Sequence, residues 1–354
     1  MKTLRLSVDP GRLDTVEARE AMGRAAAILR SGGLVALPTE TVYGLGANAL
    51  DPAAVARIFA AKERPSWDPI IVHIAGPTAA NPMLDKLATG IPAPAQRLIE
   101  AFWPGPLTLL LPRSALVPDL VTAGRPLVGL RMPSHPVAYE VIRLAGIPVA
   151  APSANTFSRI SPTTAAHVLE DLDGRIDAIL DAGPTHHGLE STVLDPCPSP
   201  MVIYRPGAIS ADDIRSVAGP VEIYRSGAPS AAAPLEALPS PGVGLRHYAP
   251  RARLILIAAP FAELPARLAE AAASRVRERI GLMLPAELLP HAPPAAAVFP
   301  WGRWSVPEEM GRALYAGLRA LDSQGCTVIL CPVPSGDGIS AAIRDRLNKA
   351  AAKE

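Results

Sequence analysis

Aromatic residues are scarce in this 354-residue chain, at 4%. Apolar residues still make up 49% and charged residues 19%, so Ala, Val, Leu and Ile fill a sizeable core and the chain is not of the disordered type. Cysteine is scarcer: Cys197, Cys326 and Cys331, with no CxxC pair. Three cysteines are a poor basis for a disulfide framework and fit a reduced cytoplasm. Charge of one sign is lacking too. The formal net charge is +1, divided as −3 over residues 1–240 and +4 over 241–354. Neither part is a polycation, so the footprint of a dedicated nucleic-acid binder is missing. No apolar run reaches about 18 residues, so no membrane span is expected. The Met1–Pro10 segment is broken by charge and proline too early for a signal peptide. There is no Gly-Lys-Ser/Thr P-loop, no Ser-His-Asp or Cys-His set and no obvious metal cage.

Proline, by contrast, is abundant, with 40 residues. Many stand beside expected strands or in loops, where a missing N–H does little harm. The length suggests two domains. Short apolar runs at Leu34–Pro38, Ile70–Ile74, Leu107–Leu111, Leu127–Met132, Pro148–Ala151, Ala178–Leu180, Thr192–Leu194 and Met201–Tyr204 read as strands. Helices are expected over Asp51–Lys62, His135–Leu144, Pro162–Leu172 and Ala211–Val217, with Ser161 as an N-cap and Ser210/Asp213 as a capping box. Strands outnumber helices, which indicates a mixed α/β or α+β domain over residues 1–225. Residues 226–250 are rich in Ala, Pro, Ser and Gly and read as a linker. Beyond it, strands at Leu254–Ala258, Ile280–Leu284 and Thr327–Pro332 and an apolar stretch at Ala295–Phe299 alternate with helices over Phe261–Arg279, Val306–Leu321 and Ile339–Ala352. That alternation predicts a small parallel α/β domain over residues 251–354.

Six groups of residues carry candidate chemistry, and each has a plainer structural alternative. Pro38-Thr39-Glu40-Thr41-Val42-Tyr43-Gly44-Leu45-Gly46 follows a strand, and offers hydroxyls and close backbone approach to a ligand, or else is a strand-ending turn over a buried Tyr43. Lys62 and Arg64, ahead of the strand that holds His73, suit phosphate or carboxylate oxygens, or else are a solvated helix end. On that placement, truncating either cation is expected to leave the fold intact. Arg131 ends a strand, in Arg131-Met132-Pro133. Ser153-Ala154-Asn155 and Ser161-Pro162-Thr163 combine donors with a helix start, an anion site or ordinary capping. Glu190-Ser191-Thr192 and Arg205-Pro206-Gly207 are a polar pair entering one strand and an arginine leaving the next. Finally Ser240-Pro241-Gly242 and Arg246-His247-Tyr248-Ala249-Pro250 sit in the linker, where a spacer needs neither histidine nor tyrosine.

In this order the groups resemble the threonylcarbamoyl-AMP synthase family. PTETVYGLG, KxRP leading to VHI, RMP, SAN with SPT, EST and RPG mark its YrdC-like domain, over about residues 10–225. SPG with HYAP and the α/β domain resemble its longer, two-domain members. Departures are Glu63 and Arg159, where glycine is usual, Asp68 for asparagine and Val243 for methionine.

The resemblance implies a YrdC-type catalytic domain with a mixed twisted sheet and a concave site, plus a small Rossmann-like parallel domain. It implies that L-threonine, bicarbonate and ATP give threonylcarbamoyl-AMP and pyrophosphate, for a tRNA modification completed by a separate transfer machinery. Thr39, His73, Arg131 and Ser191 would surround L-threonine. Lys62 and Arg64 would be catalytic and, with Ser153, Asn155, Ser161, Arg205 and Tyr248, would hold ATP. Mg2+ would arrive on ATP, and the linker would close as a lid. Two alternatives share the fold: an RNA-binding module without catalysis, disfavoured by the −3 charge, and a carbamoyl-transfer relative, whose cysteine clusters are missing here.

Overall fold

The apolar runs between Pro, Gly and polar residues form two separate sheets. The computed structural model describes residues 2–77, 81–224, 247–275, 277–293 and 296–352. The first sheet contains β1 (Leu4–Ser7), β2 (Val35–Leu37), β3 (Gly44–Asn48), β4 (Ile71–His73), β5 (Leu107–Pro112), β6 (Leu127–Arg131), β7 (Val149–Ala150), β8 (Ala178–Asp181), β9 (Thr192–Asp195), β10 (Met201–Arg205) and β11 (Val221–Ile223). Their spatial order is β1-β8-β2-β3-β7-β4-β6-β5-β9-β10-β11, with parallel and antiparallel neighbours mixed. The pleat sends Ala36 to one apolar layer and its neighbours Val35 and Leu37 to the other. Helices Val16–Arg30 and Pro136–Ala145 pack in the second of these layers. Helices Pro52–Lys62, Ala93–Phe102, Ala165–Leu172 and Ala211–Ala218 pack in the first.

The second sheet contains β12 (Arg253–Ile257), β13 (Ile280–Leu284), β14 (Ala297–Pro300) and β15 (Val328–Pro332). All its pairings are parallel, in the order β12-β15-β13-β14. Helices Pro307–Ser323 and Ile339–Ala351 pack beside it. Among the described residues no helix is long and apolar enough to cross a membrane.

Three local expectations change. The helix expected from Pro162 begins at Ala165, capped by the Thr164 hydroxyl, because Ser161 is engaged elsewhere. The Phe261–Arg279 helix shortens to a 3-10 turn, Phe261–Glu263, followed by Leu264–Ala273, with Pro265 in the first turn where its missing N–H is harmless. Of the expected linker, residues 226–246, with Ser240-Pro241-Gly242, Val243 and Arg246, lie outside the described residues. His247–Pro250 are not an exposed spacer, since all four are buried.

The two sheets are joined by a common core. Val42, Ile160, Leu189 and Tyr248 belong to the same buried cluster as Trp301, Met310, Leu314 and Tyr315. Polar contacts follow the same boundary: Arg319 pairs with Glu170 at 2.8 Å and Asp171 at 2.9 Å, and Arg312 donates to the His186 carbonyl at 2.9 Å. Gly188 makes the approach possible. It has φ +69°, and a Cβ there would stand 2.6 Å from the Arg312 Cα and carbonyl oxygen. Gly188→Ala therefore combines a left-handed alanine with a clash against helix backbone, a loss of about 2 kcal/mol or more. The melting temperature of the full chain should fall; an unchanged value would show that the domains do not meet at Gly188.

Candidate active site

Strand ends and register assemble a cleft in the first domain, whose lining includes His247 and Tyr248. β4 pairs with β6 in parallel, with His73 opposite Arg131, so both face the cleft. β9 and β10 run antiparallel with an irregularity between Ile203 and Arg205, the kind of bulge that re-aims a side chain. Arg205 there donates from Nε and Nη2 to the Ser191 carbonyl, at 3.1 and 2.9 Å, and from Nη2 to Ser191 Oγ at 3.1 Å. Ser191 Oγ also lies 2.8 Å from Thr108 Oγ1.

Of the residues the sequence singles out, Thr39, Arg64, His73 and Arg131 line the cleft, as do Ser153, Ser191, Arg205 and Tyr248. Thr39 spends its hydroxyl on its own turn, donating to the Val42 carbonyl at 2.6 Å. Tyr43 is buried as the plainer reading holds, its hydroxyl on the Gly183 carbonyl at 2.7 Å.

Lys62, Asn155 and Ser161 stand behind the cleft wall. The Lys62 ammonium donates to the carbonyls of Ser153 and Asn155, so it braces the Ser-Ala-Asn loop from inside. Lys62 is 1% exposed, not the solvated helix end that its sequence position suggests. Its truncation would strip two carbonyls of their donor, and truncation of Arg64, also buried, would leave the buried Asp68 carboxylate without its cation, so the expectation of an untouched fold is corrected for both residues. Asn155 donates to the carbonyls of Thr156 and Arg159 at 2.8 and 2.9 Å. Ser161 donates to Glu190 Oε1 at 2.6 Å.

Carboxylates that sequence reasoning did not assign pair with the cations. Arg131 meets Glu40 at 2.6 Å and donates to Thr41 Oγ1 at 2.9 Å. Arg64 meets Asp68 at 2.9 Å and donates to the carbonyls of Asp68 and Pro69. Burial pushes the Glu40 carboxyl up, and Arg131, helped by the backbone N–H groups of Glu40 and Ser134, more than reverses this, holding it below its ordinary value. Burial and the neighbouring Arg64 push Lys62 well below the usual lysine range. Glu190 and His247 also line the cleft. Burial raises the Glu190 carboxyl, but Arg346 and Arg205 bring it down to about 2, so it stays charged. The PTET and EST motifs contained Glu40 and Glu190; only the fold shows that they face arginines.

The family model described as "Telomere recombination" matches residues 27–207, and that described as "Threonylcarbamoyl-AMP synthase, C-terminal domain" matches residues 209–352. A threonylcarbamoyl-AMP synthase of Pyrococcus abyssi is 42% identical over 92% of each chain, and one of Bacillus subtilis is 41% identical over 99% of this chain and 98% of its own. The crystal structure of P. abyssi Sua5 complexed with L-threonine superposes with a TM-score of 0.87 at 38% identity, covering 99% of this chain and 98% of that one. The fold and the cleft thus define a YrdC-type catalytic domain joined to a parallel α/β domain. The chain belongs to the threonylcarbamoyl-AMP synthase family.

Burial, with Arg131 beside His73 and Arg64 beside His247, depresses both imidazoles to about 3. The folded protein holds these rings neutral, while the unfolded chain takes up their protons below about pH 6.5. Stability is therefore lost as pH falls through 6.5 and goes on falling until about 3. The urea midpoint should drop between neutral pH and about 5, above the carboxylate range. A flat midpoint across that interval would show that these histidines are not buried neutral.

Proposed function

We propose that this chain condenses L-threonine, bicarbonate or its CO2, and ATP into threonylcarbamoyl-AMP and pyrophosphate, in the cytoplasm, for threonylcarbamoyladenosine formation in tRNA by a separate transferase. The observation that carries the reading is the composition of the cleft: three buried arginines, Arg64, Arg131 and Arg205, with the hydroxyls of Ser153 and Ser191. Threonine's amine captures CO2 as a carbamate. A carbamate oxygen then bonds to the α-phosphorus of ATP as the bond to the β-phosphate oxygen breaks. Such a step needs positioning and spread of charge rather than a protein nucleophile.

Arg131, fixed by Glu40 and Thr41, holds the threonine carboxylate, with Thr39, His73 and Ser191 around the rest of the molecule. Arg64 and Arg205 face the phosphates beside Ser153 and Tyr248. Lys62, Asn155 and Ser161 act on ATP through the loop and the carboxylate that they brace. Mg2+ enters on the triphosphate and offsets part of its charge. The cleft's arginines, Arg64, Arg131 and Arg205, suit the phosphates that would carry the ion.

Pyrophosphate release should require both L-threonine and bicarbonate. L-serine, short of one methyl, should lose only about 1–3 kcal/mol of discrimination, whereas L-valine, lacking the hydroxyl, should fall by roughly 10⁴-fold. Equal pyrophosphate release without threonine would overturn the proposal, and valine turnover matching threonine would show that the pocket does not read the hydroxyl.

A further inference from the structure

Two side chains of the second domain reach into the wall of the cleft. Tyr315 lies on helix Pro307–Ser323 and Arg346 on helix Ile339–Ala351, and both are buried. Arg346 Nε donates to Glu190 Oε2 at 2.8 Å, and its Nη2 donates to the Pro206 carbonyl at 2.9 Å. The Tyr315 hydroxyl donates to Glu190, 2.8 Å from Oε2 and 3.1 Å from Oε1.

These contacts are placed unusually in the chain. Glu190 immediately precedes Ser191, whose carbonyl and hydroxyl anchor Arg205. Pro206 immediately follows Arg205. Arg346 thus holds both sides of the Arg205 anchor, the Glu190 carboxylate before it and the Pro206 carbonyl after it. The same two residues hold Tyr248. Its ring stacks on Tyr315, with centroids 5.6 Å apart and planes at 29°, and the Arg346 guanidinium carbon lies 5.4 Å from the Tyr248 ring centroid. Tyr248 has φ +64°, a conformation an L-residue keeps only when its surroundings enforce it.

We infer that Tyr315 and Arg346 are positioning residues for the nucleotide side of the cleft, acting through Glu190, Pro206 and Tyr248, so that the second domain completes the site of the first. The inference rests on the proposed threonylcarbamoyl-AMP synthesis. Arg131, His73 and Thr39, assigned to threonine, share no hydrogen bond or ion pair with either side chain, and Ser191, which follows Glu190, keeps a second partner in Thr108 Oγ1 at 2.8 Å, so the effect falls more heavily on ATP than on threonine. Contacts that only glue the domains, such as Arg312 to the His186 carbonyl, have no such selectivity.

The test uses the full chain as wild type, Arg346→Met, Tyr315→Phe and Arg312→Met. Threonine-dependent pyrophosphate release gives kcat and KM for each substrate, calorimetry gives ATP affinity, and melting gives stability. Arg346→Met should lower kcat/KM for ATP by about tenfold or more, the scale of a hydrogen bond to a buried charge. Tyr315→Phe should change it in the same direction by about threefold or more, with the ring and its stack retained. The KM for L-threonine should stay within about twofold in both, and Arg312→Met should leave both KM values unchanged. If Arg346→Met does not fold, Tyr315→Phe, which loses a single hydroxyl, decides the question. Unchanged ATP kinetics and affinity in the folded variants, or equal damage to both substrates, would overturn the inference. If the wild type itself releases no threonine-dependent pyrophosphate, the proposed function fails instead, and the calorimetric ATP affinities of the variants still decide the positioning role.

Discussion

A carboxylate buried without partners would cost several kcal/mol, and Glu190 is 6% exposed. It is sustained by a set of donors drawn from three parts of the chain. Ser161 comes from the loop after β7, and Tyr315 and Arg346 come from two helices of the second domain. Removing any one leaves the charge less compensated, so the boundary between domains and the cleft wall cannot vary independently. Continuous apolar packing from Val42 and Leu189 to Met310 and Leu314 supplies the non-directional part of the same attachment.

The cleft follows the same logic on a smaller scale. Arg131 and Arg64 are each buried against a carboxylate, Glu40 and Asp68, before any ligand is considered. Pairing lowers the cost of burying the cations and fixes their direction, so an incoming anion meets guanidinium groups already oriented. Lys62 belongs to a different class, a buried brace under the Ser153–Asn155 loop.

Strands at Ile71–His73, Leu107–Pro112 and Leu127–Arg131 were legible because each is a short apolar run bounded by polar or proline residues. The parallel second sheet was legible in its alternation of strand and helix. The motifs placed Arg131, Ser191 and Arg205 at strand ends, where the structure has them facing one cleft. Ser161 misled because a Ser-Pro pair satisfies the local rules of capping, and local rules carry no information about Glu190. Lys62 misled for a similar reason: a cation at a helix end looks solvated until the loop of another strand covers it. Tyr315 and Arg346 had no local signal, since their partners stand 125 and 156 residues away. Pairing across such separations is set by packing, which neither periodicity nor composition encodes.

The most direct test of the whole account follows the carbon of bicarbonate. The full chain is incubated with ATP, Mg2+, L-threonine and isotopically heavy bicarbonate, and the adenylate product is weighed by mass spectrometry. The account predicts an AMP adduct that contains threonine and one heavy carbon. An adduct of AMP with threonine alone, or release of AMP or ADP with no threonine-containing adduct, would contradict it.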